Sequence, residues 1–92
     1  MDCINQQLYE IVINKQTDLG RSRKNRTRIR KLITREVSKI DRIEETIVFR
    51  LPIWENDTFL TMYTDCSTEA FESITKKLEE KYPTVCTFKQ YK

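Results

Sequence analysis

Leu8-Tyr9-Glu10-Ile11-Val12-Ile13 is the stretch on which the fold turns. With Ile4, the residues Leu8, Ile11 and Val12 have helical spacing. Yet the run is β-branched and breaks in the turn-rich residues 14–20. Read as a strand over residues 8–14, it opens a β-α-β-β-α-β order. That is an α+β, ferredoxin-like sandwich with two helices on one face of a four-stranded antiparallel sheet. Read as a helix over residues 4–16, it gives helix, helix, hairpin, helix and strand, a layout similar to a small winged helix-turn-helix. Topology favours the strand.

The elements that follow are clearer. Ile29, Leu32, Ile33, Val37, Ile40 and Ile43 recur at helical steps and fall within about 140° of arc. They predict a helix over about 25–43. Residues 46–54 and 58–64 are β-branched and aromatic, joined by Glu55-Asn56-Asp57, and predict a hairpin. Pro52 cannot donate a ladder hydrogen bond, which points to an edge or a bulge. Phe71, Ile74, Leu78 and Tyr82 mark a second helix, capped by Asp65 or Ser67 and stopped by Pro83. Residues 84–91 read as a last strand.

Ninety-two residues suit a single domain spanning 1–92 with one thin core. The ends and the hydropathy suggest no signal peptide, transit peptide or membrane span. Histidine is absent, which removes the commonest general base and metal ligand. One glycine, Gly20, cannot build a phosphate loop or a dinucleotide fingerprint. Cys3, Cys66 and Cys86 are too scattered for a disulfide framework or a zinc site. Cys66 opens the second helix beside Asp65 and Ser67 with no cation next to it, so an inert thiol is expected. The expectation is a non-enzyme without cofactor or metal, in the cytoplasm, or in the nucleus of a eukaryote.

The charge pattern is the strongest functional signal. The net charge is +3, but residues 21–35 carry eight cations and no acid. The remaining 77 residues hold the other nine cations and all fourteen acids, a net of −5. On a helical wheel Lys24, Arg28, Lys31, Arg35 and Arg42 share a stripe about 60° wide, apart from the apolar one. Arg21, Arg23 and Arg26 extend it into the preceding loop. Cations one turn apart, about 5–6 Å, repel one another by a few tenths of a kcal/mol per pair. A polyanion relieves that repulsion. Arg outnumbers Lys six to two in the segment, and its planar fork suits phosphate and base edges. The expected partner is nucleic acid, DNA or RNA. The alternative is an acidic protein surface met by the same stripe, in a small phage- or virus-type inhibitor or adaptor.

The strands are apolar on both faces, so the sheet face without helices should be covered. A second copy in a homodimer would cover it. So would unstacked bases on Tyr9, Phe59 or Tyr63. The strand and helix order resembles that of the RNA-recognition motif. That family's longer motif sets a glycine and a basic residue around its stacking aromatics, and Thr58-Phe59-Leu60-Thr61-Met62-Tyr63 has neither. Trp54, at the hairpin tip, is expected to fold back on the core.

Overall fold

The computed structural model describes the backbone of residues 6–91, with side chains at all of these except 6, 51 and 52. Ile4 and Cys3 lie outside the described residues. Within them the order is β1 (Gln6–Asn14), α1 (Arg23–Asp41), a 3₁₀ turn (Glu45–Ile47), β2 (Phe49–Glu55), β3 (Phe59–Ser67), α2 (Thr68–Lys81) and β4 (Cys86–Tyr91). The chain is α+β, with two helices and an open antiparallel sheet in the order β2-β3-β1-β4. The winged alternative is overturned, because residues 8–14 lie in a strand.

β1 is an inner strand, bonded to β3 on one side and β4 on the other. Strand side chains alternate between the two sheet faces. On β1 this buries Tyr9, Ile11 and Ile13, while Leu8, Glu10 and Val12 on the opposite face are only half-buried. Leu60, Met62, Thr64 and Cys66 of β3 continue the buried face. Ile29, Leu32, Ile33 and Val37 of α1 and Ala70, Ile74 and Leu78 of α2 close over it. Each fully buried Ile or Leu contributes about 1.5–3 kcal/mol relative to exposure. Tyr9 stacks on Phe71 with ring centroids 3.8 Å apart, and Phe71 meets Phe88 edge-on.

The loop into α1 is built tightly. The Thr17 hydroxyl donates to the Asn14 carbonyl (2.8 Å) and accepts from the Gly20 amide (3.0 Å). A Cβ on Gly20 would sit 2.0 Å from the Asn14 carbonyl oxygen, so no other residue fits without moving the loop. The Ser22 hydroxyl then caps α1 by accepting from the Asn25 amide (3.3 Å). The helix therefore starts at Arg23, two residues before the expected start near residue 25.

Several boundaries differ from expectation. α1 ends at Asp41, because Arg42 takes a left-handed conformation (φ 58) as its C-cap. Ile47 sits in the 3₁₀ turn and is exposed, while Val48 just before β2 is buried. β2 is an edge strand whose pairing register shifts between Arg50 and Trp54, around Pro52. The shift sets Trp54 opposite Thr61 on the open face, so it stays 66% exposed and does not fold back.

The helices are tied to each other by two carboxylates. Buried Glu36 of α1 accepts from the Ser73 hydroxyl and from Lys77 Nζ, each at 2.8 Å. Asp41 accepts from the Ser67 amide (2.8 Å) and hydroxyl (2.5 Å), orienting the residue that caps α2.

Two outcomes follow. Gly20→Ala is expected to destabilise the fold by about 1–3 kcal/mol, the range for forced overpacking, as read from urea midpoints. Glu36→Ala is expected to cost about 1–3 kcal/mol at neutral pH, the range for hydrogen bonds to a charged group. The Lys77 hydrogen bond holds the Glu36 carboxyl below its ordinary value of 4.5, against the opposing effect of burial. The charge contribution is therefore complete above about 4.5 and lost as pH falls through the lower folded value. Denaturation of wild type and variant at pH 7 and pH 3 should show the gap narrowing in acid.

Candidate functional site

α1 exposes one face only, and all of its cations but Arg26 lie there. Arg23, Lys24, Arg28, Arg30, Lys31 and Arg35 are all exposed. Among the described residues the ion pairs are Lys15–Glu55, Arg50–Asp65 and Lys77–Glu36. None of these involves a cation of the outer face of α1. The 19 residues of α1 include two acids, Glu36 and Asp41, and both are turned to α2.

These cations surround a continuous run of shallow depressions. One is lined by Arg23, Lys24, Thr27, Arg28 and Lys31. A second joins Arg28, Lys31 and Arg35 to Lys81 and Tyr82 at the end of α2. A third, a groove between α1 and β2, is lined by Arg30, Lys31 and Arg35 from α1 and by Phe49 and Ile53 from β2. Lys31 is common to all three. The Arg30 guanidinium lies 5.8 Å from the centre of the Phe49 ring, a cation–π approach.

The expected site residues divide. Arg23, Lys24, Arg28, Lys31 and Arg35 are brought together on the exposed face of α1, while Arg21 is exposed in the entry loop with its Nη2 donating to the Gln16 carbonyl (3.4 Å). Arg26 is not part of it. It is half-buried, and its Nη1 donates to the carbonyls of Gly20 and Arg21, both at 2.9 Å. It fastens the loop to the helix. Arg42 also leaves the stripe, because its left-handed backbone breaks the helical register. Arg30, Lys81 and Phe49 were missed. Arg30 lies on the other flank of the same acid-free run, and the other two arrive only through the packing of α2 and β2 against α1.

The aromatic set divides as well. Tyr9 is 3% exposed on the helix-covered face, so it is core and offers no stacking surface. Phe59 and Tyr63 do lie on the open face, with Trp54 and Tyr91. Tyr63 meets Tyr91 edge-on and its hydroxyl donates to Glu10 (3.1 Å). Desolvation, and then that carboxylate, push the Tyr63 hydroxyl above its ordinary range. Glu10 and the Arg50–Asp65 pair give this face mixed charge.

The thiols of Cys66 and Cys86 are both pushed up to about 12 by burial, which leaves them protonated and unreactive. Among the described residues no cluster of three or more acids or cysteines is placed to hold a metal, and no helix is long and apolar enough to cross a membrane. No protein-family model, no curated protein and no solved structure matches the chain.

The division of the arginines is testable by stability alone. Arg26→Ala is expected to lower stability by about 1–2 kcal/mol, two side-chain hydrogen bonds being removed. Arg28→Ala, on the solvent side, should stay within about 0.5 kcal/mol of wild type. Thermal melts of the two variants side by side decide it, and equal effects would return Arg26 to the exposed set.

Proposed function

We propose that the protein is a small nucleic-acid-binding domain with ferredoxin-like topology, gripping phosphates with the outer face of α1 and the loop before it. The observation that carries this reading is the lack of acid on that face: both carboxylates of α1 are taken up by α2 and its capping residue, and six cations from Arg23 to Arg35 stand exposed along it. Neighbouring cations at one-turn spacing cost the isolated helix a few tenths of a kcal/mol per pair, a cost that phosphates remove. The N-terminal end of α1 adds the positive pole of the helix dipole, and its first turn has no acid to offset it. Arg23, Arg28, Arg30 and Arg35 offer forked donors for phosphate oxygens.

Binding of this kind releases counterions. Log affinity should fall with log salt at a slope of about 0.9 per phosphate contacted on duplex DNA, or about 0.7 on a single strand. The triple variant Arg28→Glu, Lys31→Glu, Arg35→Glu is expected to weaken binding to labelled DNA and RNA by more than about a hundredfold and to flatten the salt slope. A control that reverses two charges on the far surfaces, Lys76→Glu with Lys89→Glu, should keep most of the affinity. Retention of the triple variant on DNA, with an unchanged circular dichroism spectrum, would falsify the assignment. Absence of wild-type binding at low salt would shift the reading to a protein adaptor docking on an acidic surface.

A further inference from the structure

We infer that the groove between α1 and β2 receives an unpaired base, so that the protein prefers single-stranded to duplex nucleic acid. The inference rests on the nucleic-acid reading above and deepens it by naming the form of the ligand. The groove is open to solvent and offers about 700 Å³, room for a nucleobase with part of its sugar.

Its chemistry is graded from rim to floor. Arg30, Lys31 and Arg35 stand exposed along the rim on α1, with the Thr34 hydroxyl between them. Phe49 and Ile53 of β2 supply the floor and are half-buried against the core. The cations of the rim are also those of the outer face, since Lys31 and Arg35 line the neighbouring depression too. A phosphate chain following α1 therefore passes the mouth of the groove. A nucleotide carries its charge on one side and a flat apolar ring on the other, which matches this grading. An acidic peptide carries charge at the ends of flexible side chains and has no need of a flat apolar floor beside each one.

One residue of the groove opposes phosphate. Glu45, in the 3₁₀ turn, lines its end. A carboxylate there repels phosphates from the interior and keeps them at the rim. It also presents an acceptor to the exocyclic amino group of a base, as carboxylates do toward cytosine N4. The Arg30 guanidinium over Phe49 adds a second planar surface on which a base can stack. In duplex nucleic acid the bases are stacked inside and cannot enter. The duplex would meet only the rim cations.

The test compares an oligonucleotide single strand with its own duplex by fluorescence anisotropy, using wild type, Phe49→Leu and Thr34→Leu. Phe49→Leu keeps an apolar side chain and removes the ring. Thr34→Leu alters the wall from the helix side without changing charge or touching the core strand. Wild type is expected to favour the single strand by about tenfold or more, the scale of base–aromatic stacking. Phe49→Leu should lose that preference while duplex affinity holds. A single strand carrying 2-aminopurine should be quenched on binding wild type and far less on binding Phe49→Leu. The inference is overturned if wild type binds both forms equally, if both variants keep the full preference with native circular dichroism, or if polyglutamate of equal length competes as well as the single strand. Equal loss of both forms in the triple charge reversal tests the underlying reading separately. Failure of wild type to bind either form would overturn both.

Discussion

The two carboxylates of α1 face inward, and the character of the rest of the surface depends on that. Glu36 is buried between the helices, held by Ser73 and Lys77. Asp41 holds the amide and hydroxyl of Ser67, the residue that caps α2. A buried carboxylate needs such partners, because its desolvation otherwise costs several kcal/mol. Once both acids are fixed there, the helix has none left to neutralise its own cations. Structure inside the domain thus sets the electrostatics outside it.

The same logic explains which cations stay available. A helix can bury one stripe, and α1 gives that stripe to Ile29, Ile33 and Val37. Arg26 stands three residues before Ile29 and seven before Ile33, which puts it on the inner side. Its long side chain therefore turns to the loop carbonyls of Gly20 and Arg21. Arg23, Lys24, Arg28, Arg30, Lys31 and Arg35 stand outside that stripe and remain exposed. The glycine that admits the tight loop, the arginine that fastens it and the serine that caps the helix together fix where the basic face begins.

Much of this was legible in the sequence. β-branching and the topology it completes identified β1, and the apolar steps identified both helices. Strand parity also carried the right place for Tyr9, two residues from Ile11 and four from Ile13, and so on the core face with them. Grouping it with Phe59 and Tyr63 ignored that parity. Other features had no local signal. An arginine at positive φ is uncommon, so nothing in Arg42 announces a left-handed cap. The apolar run from Ile47 was read as strand throughout, but the Ile47 amide bonds back to the Glu44 carbonyl and the strand begins later. The groove was illegible for a different reason. Its walls come from α1 and β2, and only their packing places Phe49 beside Arg30.

The antiparallel pairing of the helices gives the basic face a direction. Arg28 and Arg35 lie near Lys81 and Tyr82 at the end of α2, whereas Asp41 meets Ser67 at its start. The exposed acids Glu69 and Glu72 on the early turns of α2, with Glu44 and Glu45 after α1, thus gather toward the C-terminal end of α1. Cations without an acid run from Arg21 in the entry loop through the first three turns of α1, and the helix dipole has the same sense. At physiological salt the screening length is about 8 Å, short compared with a 19-residue helix at 1.5 Å per residue. The two ends therefore act as separate regions and do not average to the mild net charge of the chain.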